Sequence, residues 1–145
     1  MLLSDEMKII TVKSGTLKKP KKIDLVVSAL IEDGNKVLLI KRKKNKSFPS
    51  HWGIPTGKVK PSETLEEAIK REVREETNLD IEVLEPYHLT QEFHDDHHHI
   101  VIAFKAKIIS GHPKAGSDAE EVKWFSKDEV SRLKLQPTAR EQLRF

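Results

Sequence analysis

Apolar and polar positions along this chain follow two different periods, and the places where the period changes mark out its elements. From Ile23 the stretch IDLVVSALIEDGNKVLLIKRKK holds two apolar, β-branched runs on either side of Asp33-Gly34-Asn35. Glycine and asparagine accept the positive φ that tight turns require, so a hairpin is expected there. The next stretch, SFPSHWGIPTGKVKPSE, is dense in proline and glycine and is expected to be a loop without regular structure. A helical period then predicts a helix over Leu65–Thr77: Thr64 and Glu67 have the spacing of a capping box, and Asn78 stands where helices exit through a left-handed residue. DIEVLE alternates as a strand and HHIVIAFKAKII as a longer one, Gly111 to Ala119 reads as a loop, and EEVKWF as a short final strand. Ser126 with Glu129 repeats the capping-box spacing ahead of a short helix, and Pro137-Thr138 opens a last one. Residues 1–22, ending in LKKPKK, read as an N-terminal arm or edge strand, and residues 23–145 as a single domain. Strands partly joined as hairpins and flanked by two or three helices predict an α/β (α+β) fold, a mixed β-sheet packed between helices.

Composition narrows the setting. A chain of 145 residues with 37% hydrophobic and 34% charged residues has the balance of one soluble globular domain. Its longest apolar run, around LVVSALI, is too short to span a bilayer, and MLLSDEMKII carries acids where a secretory signal carries bases, so a cytoplasmic location without membrane partners is expected. There is no cysteine, which excludes disulfides and thiolate metal sites and leaves oxygen and imidazole as the metal ligands. The net charge of +3 and pI near 9.0 favour anionic partners.

The segment REVREETNLD crowds Glu72, Glu75 and Glu76 into one stretch of the expected helix. At about 100° per residue from Leu65, Ile69, Val73 and Ala68 fall near about +40°, +80° and −60° and form the core-facing stripe. On the same count Glu72 falls near about −20° and Glu76 near about +20°, and with Glu75 near about −80°, at the edge, the three acids overlap that arc. Glu66 with Lys70 and Glu67 with Arg71 are favourable i,i+4 pairs on a solvated face. Glu72 and Glu76 are a like-charge i,i+4 pair near the helix C-terminus, where the macrodipole also disfavours anions. A hard divalent cation would recover the lost stability, since Mg²⁺ takes oxygen ligands and keeps several waters. An unusual surface charge network is the competing account of the same residues.

From Gly57 the sequence GKVKPSETLEEAIKREVREETNL resembles the signature of the Nudix hydrolases, with Gly57, Glu63, Arg71, Glu72, Val73, Glu75, Glu76 and Leu79 in register over residues 57–79. The preceding hairpin, HWGIPTG and SDAEEVKWFSKDEV are similar to the family's domain, so the resemblance runs from about Ile23 onward. Two positions depart from the pattern. Asn78 replaces the glycine after the helix, and Thr56 replaces the first glycine of the usual pair. The resemblance implies a hydrolase that cleaves the diphosphate linkage of a nucleotide derivative, either ADP-ribose or a related sugar nucleotide or a (deoxy)nucleoside triphosphate. It further implies Mg²⁺, with Mn²⁺ as a substitute, held by Glu72, Glu76 and Glu75, with main-chain support at Thr56 and Gly57. In that reading Arg71 orients Glu72 or pairs with Glu63, which is structural, and the general base is Glu72, Glu75, Glu120 or Glu121. The family also allows a homodimer.

Other candidates are less specific. The run HDDHHH from His94 to His99 reads first as a polar turn, and His97 and His99 are candidates for substrate contact rather than for a structural zinc site. Phe48 and Trp52 could stack on a base, with core packing the alternative for Trp52. Arg42 and the lysines of KRKKNK could attract phosphates. The competing function is a non-catalytic nucleotide or nucleic-acid binding module built on the basic tracts. That module would bind in a strongly salt-dependent way, and three uncompensated carboxylates would give it nothing.

Overall fold

A computed structural model of the chain describes residues 9–16, 19 and 22–145, and the rest of the expected N-terminal arm lies outside the described residues. The organising strand is β2 (Asp24–Asp33), whose positions 26–31 are all buried. Its apolar residues form a run rather than an alternation because layers cover both of its faces. One edge of β2 pairs in parallel with β7 (His97–Ser110), and the other pairs antiparallel with β5 (Thr56–Lys58). Beyond β7 lies its antiparallel partner β6 (Asp80–His94), and β1 (Ile9–Ser14) pairs in parallel with β6 at the sheet edge.

The expected hairpin after β2 is present. Gly34 takes a φ of +59°, while Asn35 does not need a positive φ. β2 and β3 (Lys36–Arg42) share only the pairs Glu32↔Val37 and Asp33↔Lys36. Past that point β3 pairs with β4 (Trp52–Gly53) and β8 (Ala119–Ser126). The result is the mixed sheet that the alternation of strands and helices predicts.

Helices cover both faces. On one, α1 (Leu65–Thr77) sets Ala68, Ile69 and Val73 against Val27, Ala29 and Ile31 of β2 and Leu38 of β3. On the other, α2 (Lys127–Val130) and α3 (Pro137–Gln142) bring Val130 and Ala139, with Leu143, onto Leu30, Val37, Leu39 and Ala103. Neighbouring residues of β3 thus serve opposite cores, as the two-residue period of a strand requires. Each buried Ile, Leu or Val contributes about 1.5–3 kcal/mol, so α1 is held mainly by its stripe. No helix among the described residues is long and apolar enough to cross a membrane.

Two elements differ from the sequence expectation. The loop after β3 contains the short strands β4 and β5, because the residues around Pro55 carry free N–H groups that pair with the open edges of β3 and β2. The strand read as DIEVLE continues to His94. Pro86 does not end it, because the β6–β7 register shifts on both sides of Pro86 and no ladder bond is asked of its missing N–H.

Candidate functional site

The site begins with α1. The Thr64 hydroxyl accepts from the Glu67 N–H and the Glu67 carboxylate accepts from the Thr64 N–H, each at 3.1 Å, which fixes the start of the helix. Asn78 ends it with φ of 64° and donates its N–H to the Arg74 carbonyl at 3.0 Å. Between these caps the helical turn is fully determined, and it carries Glu76 inward to 2% exposure while Glu75 stays exposed. Glu72 lies half-buried beside Glu76, near enough for each carboxyl to feel the other. Burial pushes the Glu76 carboxyl well above the usual carboxylate range, and the neighbouring Glu72 charge adds to the rise. Glu72 is raised for the same first reason, against the pull of Arg71.

A brace holds this pair. Arg71 donates from Nε to Glu63 Oε2 at 2.6 Å and from Nη2 to Glu63 Oε1 at 2.9 Å, a bidentate geometry that fixes its plane. Nη1 then donates to Glu72 Oε1 at 2.7 Å and Nη2 to the Lys58 carbonyl at 3.0 Å. Glu63 also accepts from the Lys60 N–H at 2.9 Å, and the Arg71 guanidinium holds its carboxyl down at about 2. On the other side, the Thr56 N–H points at Glu76 Oε2 at 3.4 Å. The Thr56 hydroxyl donates to the Ile54 carbonyl at 2.9 Å and so accepts from Ser28 Oγ at 2.8 Å, while Ser28 accepts from Gln142 Nε2 at 3.2 Å. A line of hydrogen bonds therefore ties α3, through β2 and β5, to the buried acid.

A cavity of about 420 Å³ opens beside Glu72. Its lining includes Arg42, Gly57, Lys58 and Asp118, together with His94, His97 and His99 of the β6–β7 hairpin. A family model described as the NUDIX domain matches residues 22–144.

The chain belongs to the Nudix family. It is 38% identical over 111 residues to an ADP-ribose pyrophosphatase of Methanocaldococcus jannaschii, an alignment that covers 75% of this chain and 65% of that one. It is 32% identical over 107 residues to a MutT-like protein of Streptomyces ambofaciens, covering 73% and 65% of the two chains. The chain thus spans less than two thirds of the length of these curated relatives. Among solved structures, a MutT NUDIX hydrolase from Burkholderia pseudomallei superposes with a TM-score of 0.76 at 28% identity, covering 85% of this chain and 97% of that one.

Within this Nudix domain the residues singled out from sequence take separate places. Glu72, Glu76, Arg71, Glu63, Thr56 and Gly57 come together around the acid pair. Arg42, His97 and His99 line the cavity. Glu120 and Glu121 do not reach it: both are exposed on β8, with Glu121 paired to Lys41, because the register shift at Lys41/Arg42 turns Asp118 toward the cavity instead. Trp52 also stays off the cavity wall and packs edge-to-face on Phe125 at 4.8 Å in the second core. Among the described residues, no group of three His, Asp or Glu side chains converges tightly enough to enclose an ion. Sequence reasoning passed over Asp118 and the buried Ser28 and Gln142, and nothing in their spacing distinguishes them from ordinary loop, strand and helix residues.

Proposed function

We propose that the protein is a divalent-metal-dependent pyrophosphohydrolase that cleaves the diphosphate linkage of a nucleotide derivative, with ADP-ribose and related sugar nucleotides as the first substrate class. One observation carries the reading: two acids stand side by side, Glu72 on the wall of a cavity large enough for a nucleotide and Glu76 buried behind it, with Arg71 as the cation that pairs with Glu72. The 38% identity to a relative described as an ADP-ribose pyrophosphatase supports the choice among nucleotides.

The donor set fits a hard cation. Burial raises the affinity of both Glu72 and Glu76 for protons, and a cation would replace those protons. Two carboxylates suit Mg²⁺ better than a full protein cage, because Mg²⁺ keeps several waters and accepts phosphate oxygens. Glu72 and Glu76 would hold it, with Glu75 at the rim. When bound, such an ion neutralises phosphate charge and acidifies water.

The protein's own residues do the rest. Arg42, on the cavity wall, offers a guanidinium to phosphate oxygens, and the Arg71–Glu63 brace keeps the Glu72 carboxylate in one orientation. Of the three carboxylates lining the cavity, Glu92 accepts from the Thr138 hydroxyl at 2.5 Å and Asp118 pairs with Lys46 at 3.0 Å. Glu72 is the one of the three that stands beside a second acid, with Arg71 donating to it at 2.7 Å, which suits it to hold the cation.

The test is hydrolysis of ADP-ribose with Mg²⁺, followed by chromatography for AMP and ribose 5-phosphate, with Glu72→Gln and Glu76→Gln alongside. Each variant is expected to lose about 100-fold or more in kcat. Absence of turnover across a panel of nucleotide diphosphates, or full activity in both variants, would overturn the reading.

A further inference from the structure

The cavity wall opposite in sequence to the acid helix carries aromatic rings that neither core accounts for. His94 has both ring nitrogens engaged, Nδ1 with Ser14 Oγ at 2.9 Å and Nε2 with Asp95 Oδ2 at 3.2 Å. With its edge committed, the ring has only its faces to offer. Phe48 meets it at 4.5 Å between centroids and 43° between planes, and His97 lies parallel within 5° at 6.4 Å.

Phe48 reaches this place at a conformational cost. Its φ of +51° is left-handed, which a bulky L residue rarely adopts, and Ser50 follows at +62°. The strained turn is pinned to its neighbours: the His51 N–H donates to the Phe48 carbonyl at 3.2 Å, and the Ser50 N–H to the Arg42 carbonyl at 3.0 Å. Phe48 belongs to neither hydrophobic core, and its half-buried ring lines the cavity. The loop is bent to deliver an aromatic face to the cavity, in the same lining that offers Arg42 and Lys58 to anionic groups.

We infer that Phe48 and His94 form the stacking subsite for the planar base of the nucleotide, with Ser14 of β1 as a positioning residue for His94. The inference rests on the substrate being a nucleotide derivative, as proposed above. A base needs a flat, weakly polar surface and no charge partner, and the Phe48–His94 pair supplies that surface. A phosphate would gain little there, because Phe48 has no donor and both His94 nitrogens are already matched. Ser14 lies outside residues 22–144, which the family model matches, so part of this subsite comes from β1 rather than from the matched domain.

Isothermal titration with AMP and with ribose 5-phosphate, using the full-length chain and no turnover, tests the assignment. Phe48→Ala is expected to weaken AMP binding about tenfold or more and to leave ribose 5-phosphate within about twofold. Phe48→Trp restores AMP binding, whereas Phe48→Leu, which keeps apolar bulk without a π face, does not. Unchanged AMP affinity in Phe48→Ala, equal loss for both ligands, rescue by leucine, or no AMP binding by the wild-type chain would each overturn it. A chain that binds AMP through Phe48 yet hydrolyses no diphosphate would sink the proposed activity and leave this subsite standing.

Discussion

Gly57 and Glu72 compete for the same space: a Cβ added to Gly57 would overlap the Cγ, Cδ and Oε1 of Glu72. Gly57 has no positive φ, so the demand on this position is room rather than backbone freedom. Gly57→Ala is therefore expected to push the Glu72 carboxylate aside and lower kcat/KM by about 100-fold, the scale of an ångström-sized misplacement. Steady-state kinetics with ADP-ribose, read beside an unchanged thermal midpoint, checks this; wild-type kinetics in the variant would refute it.

Glu76→Gln removes a buried carboxyl that resists ionisation, so the metal-free variant is expected to be about 1 kcal/mol more stable than the wild type at alkaline pH, where Glu76 must carry its charge. Mg²⁺ should then separate the two. At 100 times its dissociation constant it adds about 2.7 kcal/mol to a chain that binds it only when folded, and the variant should gain far less. Thermal denaturation with and without Mg²⁺ reads both effects, and equal Mg²⁺ stabilisation of the two chains would contradict the assignment.

The Glu63–Arg71 brace predicts a pH dependence. The Glu63 carboxyl is held at about 2 in the folded chain against 4.5 in the unfolded one, so its contribution to stability is complete above about pH 4.5 and is lost as pH falls toward 2. Glu63→Gln should lower the urea midpoint at pH 6, and its gap from the wild type should shrink between pH 4.5 and 3. A gap that is constant over this range would mean that the charge of Glu63 does not stabilise the fold.

Asn78 closes α1 in the left-handed region, where most side chains cost about 1–2 kcal/mol. Asn78→Ala is expected to lose about 1 kcal/mol and Asn78→Gly to stay within about 0.5 kcal/mol, measured by denaturant unfolding. A similar cost for both would assign the role of Asn78 to its side-chain bond with the His112 carbonyl instead.

The helix was legible because everything that defines it is local: two caps, a stripe of three apolar residues, and acids at fixed angles to that stripe. The same angles foretold that Glu76 would point inward, and it is buried to 2%. What sequence did not disclose depends on register between distant strands. The strand β5 exists because β2 has a free edge, and Asp118 faces the cavity because of a shift at Lys41/Arg42. His97 and His99 were already candidates for substrate contact, but their convergence with His94 was hidden for a similar reason. Within one strand they alternate, but across the β6–β7 turn His94 pairs with His97 and Glu92 with His99, which gathers them on one face.

The hydrogen-bonded line from Gln142 through Ser28 and Thr56 to Glu76 bears on when this chemistry becomes available. α1 can coil early, since its caps and charges lie within a few residues of one another. The groups that surround Glu76 come from far apart, with Gln142 and Ser28 separated by 114 positions, and contacts of that span close late in folding. Completion of the fold is itself the step that assembles the groups around Glu76.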